Sequence, residues 1–134
     1  MKITLVTLLA LVSLNSFSAK LEGNYESSSG CTVSIECEDG YCHATVEKGD
    51  KSLVLEGELE TDKSDEFRLY RQYTGIETRW FHDDEFTGFN DLVLEKQKNG
   101  KFMVDSLDSK YNLFPHFPKK ERNIIVCKNL VRVQ

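Results

Sequence analysis

After its first eighteen residues, the sequence has no apolar run long enough to form a transmembrane helix and no block of more than two consecutive basic residues. A membrane-spanning helix needs about 20 apolar residues. Surfaces that bind nucleic acid or anionic membranes need clustered Lys and Arg, and the net charge here is −5. We therefore expect no nucleic-acid partner, and no membrane span once the leader described below has been removed.

Recognisable catalytic and nucleotide-binding motifs are also missing. The chain contains no G-x-S-x-G, H-E-x-x-H, P-loop or G-x-G-x-x-G sequence. We expect a protein that is not an enzyme and needs no cofactor. No helical periodicity of useful length, internal repeat or low-complexity tract is visible outside the first eighteen residues.

The amino terminus has the pattern of a secretory signal peptide. Lys2 precedes the apolar segment ITLVTLLALVSL, and Ser16 and Ser18 provide the small residues of a cleavage site. Cleavage is expected after Ser18, with Ala19 as the alternative. The sequence thus predicts a signal peptide over 1–18, a single domain over 19–134, and a secreted or periplasmic location.

Two-residue turn signals separate runs of alternating apolar and polar residues, which is typical of β-hairpins. The signals are Asp39-Gly40, Gly49-Asp50, Thr74-Gly75 and Asn99-Gly100. They predict strands over 22–27, 31–38, 41–48, 51–60, 66–73, 76–83, 91–98, 101–107 and 123–132. We expect an all-β antiparallel meander of eight or nine strands, forming a small closed barrel, with a β-sandwich as the alternative.

The first two hairpins agree on which face is buried. A turn at Asp39-Gly40 places Cys37 opposite Cys42, and a turn at Gly49-Asp50 places Cys42 opposite Gly57. Both registers put the same apolar side chains on one face, and a slip of one residue would turn them to solvent. For strands 91–98 and 101–107 the pattern is mixed and gives no assignment of faces.

The third predicted hairpin, turning at Thr74-Gly75, provides the candidate ligand site. It pairs Leu69 with Trp80, Phe67 with His82 and Arg71 with Thr78. A guanidinium at the mouth of an apolar barrel can bind a carboxylate or phosphate; the alternative is that Arg71 extends to the solvent-exposed rim. The candidate ligand-binding residues are Phe67, Leu69, Arg71, Tyr73, Trp80 and His82.

The four cysteines are expected to form disulfides, because an exported chain passes through an oxidising compartment. Cys37 and Cys42 form a close non-hydrogen-bonded pair, which suits a cross-strand bridge. Cys31 is too far from Cys37 along one strand, so by elimination it pairs with Cys127. Zinc, free thiols and other pairings are the alternatives. No metal is expected, since Cys42 and His43 are consecutive on a strand and their side chains leave opposite faces.

The start of the mature chain, LEGNYES, followed by a meander and a cysteine in the last strand, resembles a lipocalin-type barrel. That family usually opens with Gly-x-Trp, whereas Gly23-Asn24-Tyr25 has tyrosine. The resemblance implies that a basic residue stacks on this ring, and Arg122 and Arg132 lie in the appropriate region. It concerns the fold, which by itself says little about function.

Two functions are expected from these features. The first is a binding protein that holds a small apolar or anionic ligand in the barrel. The alternative is a protein-interaction module, such as an inhibitor of a lysozyme or protease, which presents loop 83–91 or 111–122 to a secreted or periplasmic protein. His43, flanked by Glu36 and Glu56, is interpreted as a solvated ion pair, and the acidic residues of 83–91 as a solvated loop.

Overall fold

A computed structural model describes residues 19–79, 81–112 and 120–133. These residues form eight antiparallel strands and no helix. The strands are β1 (Gly23–Glu26), β2 (Cys31–Glu38), β3 (Tyr41–Lys48), β4 (Lys51–Asp62), β5 (Glu66–Arg79), β6 (His82–Lys96), β7 (Phe102–Asn112) and β8 (Lys120–Val133). Each strand pairs with its neighbour in the sequence, and β1 also pairs with β8, so the sheet closes into a ring. The all-β meander is confirmed.

The described residues contain no helix that is long and apolar enough to cross a bilayer.

The two amino-terminal hairpins have the predicted registers. Cys37 pairs with Cys42, and Cys42 pairs with Gly57. Asp39 and Gly40 both have positive φ angles, of 52° and 79°, as a two-residue primed turn requires. Gly49 has a φ of 62° at the next turn. The alternation of buried and exposed residues along β2 and β3 follows directly from these registers.

Gly57 lies between Cys42 on β3 and the backbone of Tyr70 on β5. In the structure, a Cβ at this position would lie 2.6 Å from the backbone carbonyl carbon of Tyr70. Gly57 therefore permits the backbones of β4 and β5 to approach closely. The two strands pair only between Glu58↔Tyr70 and Asp62↔Phe67, with an irregularity between Leu59 and Thr61.

The predicted turn at Thr74-Gly75 is wrong. Residues 74 and 75 lie inside β5, which pairs with β6 continuously from Glu66↔Glu95 to Arg79↔His82. The glycine is needed for packing, because a Cβ on Gly75 would lie 2.5 Å from the Phe86 ring. Segment 83–91, predicted to be an acidic loop, is accordingly part of β6.

The β6–β7 connection explains why the alternation pattern does not assign the faces of these two strands. Lys96 pairs with Phe102, and the backbone N–H of Gln97 donates to the carbonyl of Lys101 at 2.7 Å. The loop is therefore longer than the two residues Asn99-Gly100. Gly100 adopts a φ of 83°, as in hairpin loops of three residues. This register turns Phe102 and Val104 inward, and both are buried.

Both predicted disulfides are present in the described residues. Cys31 is bonded to Cys127, and Cys37 to Cys42. The first bridge joins β2 to β8 across a separation of 96 residues. It therefore fixes the ring close to the point where the first and last strands meet. Two intramolecular disulfides are compatible with an oxidising compartment.

Tyr25 and Arg132 mark the junction of β1 and β8. Tyr25 is fully buried, and its hydroxyl donates to the carbonyl of Leu21 at 2.7 Å. The guanidinium of Arg132 lies 6.0 Å from the centre of the Tyr25 ring and donates to the carbonyl of Lys20 at 3.2 Å. Burial raises the pKa of Tyr25, and Arg132 partly opposes this shift. Of the two arginines considered from the sequence, Arg132 is the one next to the ring.

Candidate functional site

The predicted ligand-binding residues do not form one group. Phe67 and Leu69 are completely buried in the core, where they pair with Leu94 and Leu92. The predicted partners of Phe67 and Leu69, which were His82 and Trp80, are therefore wrong. The backbone of His82 pairs with that of Arg79 at the far end of the hairpin. Trp80 lies outside the described residues.

Along β5, β6 and β7, the inner face of the ring consists of two parts. We call the apolar part the packed end; its members on these three strands are Phe67, Leu69, Leu92, Leu94, Phe102 and Val104. We call the continuation of the same face the polar end, and it comprises Arg71, Tyr73, Glu77, Phe86, Asn90, Asp108 and Lys110. The alternation of strand side chains places both sets on one face.

Arg71, the predicted anion-binding residue, already has partners. Its guanidinium donates to the carboxylate of Glu56 and to the hydroxyl of Tyr41, the latter at 3.4 Å. It also lies 4.2 Å from the centre of the Tyr73 ring. Because Glu56 neutralises the guanidinium, Arg71 is a poor anchor for a further carboxylate or phosphate. This arrangement disfavours the anion site expected from the sequence.

Two aromatic rings lie over two glycines in the polar end. The Phe86 ring covers Gly75, and the Tyr73 ring covers Gly88, where a Cβ would lie 2.2 Å from the ring. The two rings meet edge to face, with centres 6.2 Å apart. The ammonium of Lys110 lies 4.2 Å from the centre of the Phe86 ring. In the polar end, the Tyr73 and Phe86 rings therefore pack against glycines and against each other.

Lys110 is held by a second contact in addition to the ring. Its ammonium lies 3.2 Å from a carboxylate oxygen of Glu77. The ion pair and the cation–π contact together place the positive charge over Phe86. Like Arg71, Lys110 is thus engaged by groups of the protein itself.

Asn90 and Asp108 face each other on β6 and β7. Asn90 is only 6% exposed, and its Oδ1 atom accepts no hydrogen bond from the described residues. Asp108 is half-buried; burial raises the pKa of its carboxyl group, Glu121 raises it further, and Lys110 lowers it. Buried polar groups are nearly always hydrogen-bonded in native proteins, so an acceptor such as Asn90 Oδ1 calls for an explanation.

A cleft of about 920 Å³ reaches Asp108 from outside. It lies between the start of β4 and the first half of β8, and we call it the β4–β8 cleft. Its lining comprises Lys51, Ser52, Leu53, Val54, Asp108, Arg122, Asn123, Ile124 and Ile125. This volume is in the range of known small-molecule sites. Asp108 therefore belongs both to the polar end and to an open cleft.

Asn90 and Asp108 are absent from the predicted site for separate reasons. A turn at Thr74-Gly75 puts Asn90 in the predicted loop 83–91. Asp108 lies beyond the strand predicted over 101–107. The signal that could have placed Asn90 is the unbroken alternation of inward residues from Asp84 to Leu94, which fits one long strand and leaves Gly75 and Gly88 opposite aromatic residues.

Two further kinds of site were considered, a catalytic histidine at His43 and a metal site. His43 lies 3.1 Å from a carboxylate oxygen of Glu56, and both side chains are well exposed, which agrees with a solvated ion pair. In the described residues, no group of three or more His, Cys, Asp or Glu side chains is arranged to hold a metal ion.

Comparisons with known proteins give no match to a family model, to a curated protein or to a solved structure.

Proposed function

We propose that this protein is an exported binding protein that holds a small polar ligand in the β4–β8 cleft. The observation that carries the proposal is that the half-buried carboxylate of Asp108 lines an open cleft of about 920 Å³. The packed end has no comparable role, since Phe67 and Leu69 have no exposed surface. The proposed polar ligand differs from the small apolar or anionic ligand expected from the sequence.

Export rests on the signal-peptide pattern of residues 1–18 and is supported by the two disulfides. The ring of antiparallel strands agrees with the lipocalin-type analogy, and small barrels of this kind often carry ligands at their mouths. Both points support the proposed class of protein without identifying its ligand.

Native mass spectrometry of protein purified from its oxidising compartment tests this function. We expect a bound small molecule on the wild-type protein. Val54→Trp should remove it, because Val54 lines the cleft and its exposed side chain can be enlarged without disturbing the core. Val131→Trp is the matched control, since Val131 is also exposed but lies outside the cleft. A bound molecule that survives Val54→Trp would contradict the proposed location.

The β5–β6 hairpin favours a second candidate, the protein-interaction module. Phe81 at its tip is fully exposed and has a φ of 68°, which is rare for a bulky residue. Ile76 on the outer face of β5 is 68% exposed. Exposed apolar residues at a hairpin tip are suited to insertion into a partner's cleft.

In this second candidate, the tip of the β5–β6 hairpin is the binding element and replaces the predicted loop 83–91. The other predicted loop, 111–122, stays a prediction. Segment 83–91 is a strand, so the tip at residue 81 takes its place. Most of segment 111–122 lies outside the described residues. Inhibition of a basic lysozyme by the purified protein is the test. Loss of inhibition in Phe81→Ser, with inhibition retained in Val131→Ser, would support the interaction role.

A further inference from the structure

The β4–β8 cleft reaches Asp108, and beside this residue on β6 lies Asn90, whose Oδ1 accepts no hydrogen bond from the described residues. Asn90 and Asp108 are cross-strand neighbours on the same face, so their side chains lie within reach of one small group. Asn90 Oδ1 is buried without a donor, and the described residues provide no hydrogen bond to the Asp108 carboxylate. The complementary ligand group is therefore a hydrogen-bond donor.

The charged groups around Asp108 favour a cationic donor. Glu121, which pairs with Lys110 in the β7–β8 register, adds negative potential at Asp108. Burial raises the pKa of Tyr73, and the negative charge of Asp108 raises it further. A carboxylate that is partly removed from water and lies near a second carboxylate gains most from a positive charge in contact with it.

The cations already present do not take this position. Lys110 contacts Glu77 and the Phe86 ring, and Arg71 contacts Glu56, Tyr41 and the Tyr73 ring. Lys51 and Arg122 line the cleft and are exposed. Among the described residues, the cation that acts on Asp108 is Lys110, which lowers the pKa of this carboxyl group but is held by Glu77 and the Phe86 ring.

We propose that the ligand is anchored by a protonated amine, which donates hydrogen bonds to the carboxylate of Asp108 and to Oδ1 of Asn90. This proposal rests on the proposed function and names the chemical class of its ligand. The apolar side chains of Leu53, Val54 and Ile125 in the cleft fit a short hydrocarbon body attached to the amine.

The test is an NMR titration of isotope-labelled protein with three probes of equal length, which are n-butylammonium, n-butanol and butyrate. We expect n-butylammonium alone to produce saturable shifts of the Asp108 carboxyl carbon and the Asn90 side-chain amide. Its affinity should fall at least tenfold in Asp108→Asn and in Asn90→Leu. It should not change in Asp105→Asn, which removes an exposed outward carboxylate from the same strand. The affinity should also decrease as the pH is lowered through the pKa of Asp108.

Three results would overturn the proposal. Equal binding of n-butanol would show that charge is not recognised. Binding of butyrate at Lys51 and Arg122 without a response from Asp108 would identify an anion site and leave the proposed function intact. A failure of all three probes to perturb any cleft residue would count against both the amine and the cleft.

Discussion

The two ends of the inner face differ although the same strands build them. On β5, the completely buried Phe67 and Leu69 are followed on the same face by Arg71 and Tyr73, which are only partly buried. The backbone pairing with β6 continues without interruption through both pairs. Strand geometry is therefore shared, and only the side chains change.

The neighbouring strands make the same transition. On the inner face of β6, the position next to Leu92 is occupied by Asn90. On the inner face of β7, the positions after Val104 are occupied by Ser106 and Asp108. Ser106 already needs a hydrogen bond at this boundary, and its hydroxyl donates to the carbonyl of Ile125 at 2.7 Å. The packed end is stabilised by apolar burial, whereas the polar end depends on individually placed partners.

Removal of a disulfide is expected to have the largest effect on the free energy of unfolding. In the chain-entropy model, replacing Cys31 and Cys127 by Ala should cost about 4–5 kcal/mol, and replacing Cys37 and Cys42 about 2 kcal/mol. The difference follows from sequence separations of 96 and 5 residues. Urea unfolding of both double variants measures it. Equal losses would show that loop length does not determine how the bridges stabilise the ring.

The sequence predicted the amino-terminal half more accurately than the carboxy-terminal half, and glycine explains the difference. Gly40 and Gly49 stand in turns, where their positive φ angles produce the expected hairpins. Gly75 and Gly88 have no such role, because they accommodate the rings of Phe86 and Tyr73. A dipeptide such as Thr74-Gly75 looks the same in either situation. Only the cross-strand partner distinguishes them, and that partner lies far away in the sequence.

The candidate site was harder to predict than the fold. The inward direction of Arg71 and Tyr73 could be inferred from alternation, but their partners could not. Glu56 reaches Arg71 from β4, beyond the point where the two strands stop pairing, so no register leads to that contact. The pairing of the cysteines was accessible because elimination left one arrangement. No similar constraint connects Asn90 with Asp108.

Matched substitutions on β5 compare the two ends directly. Phe67→Ala should destabilise the protein by about 3–5 kcal/mol, because it removes a fully buried ring from a close-packed core. Tyr73→Ala, on the same face of the same strand, should cost only about 1–2 kcal/mol, since its ring is partly exposed. Urea unfolding at neutral pH provides both values. A larger loss for Tyr73→Ala would mean that the polar end carries the stability of the ring.

Glycine substitutions give a smaller contrast. Gly57→Ala places a methyl group against the backbone of Tyr70, and Gly88→Ala places one against the end of the Tyr73 ring. A backbone cannot move aside as a side chain can, so we expect Gly57→Ala to cost about 2–3 kcal/mol and Gly88→Ala about 1 kcal/mol. Thermal and urea unfolding would measure both. If Gly88→Ala were the more costly, the Tyr73 ring would be held more firmly than its partial exposure indicates.

The smallest expected effect concerns the charge on Asp108. Burial and Glu121 raise the pKa of this group above its ordinary value of 3.8, so the folded protein binds the proton more tightly than the unfolded chain does. The resulting stabilisation is fully present below pH 3.8 and is lost as the pH rises through the folded-state pKa. Asp108→Asn does not titrate. The variant should therefore gain stability relative to wild type as the pH rises from 3 to 7, in unfolding experiments without ligand. Asp105→Asn, at an exposed position on the same strand, should show no comparable trend. A pH-independent difference for Asp108→Asn would mean that the carboxylate is fully solvated, and the contrast between the two ends would then not extend to its electrostatics.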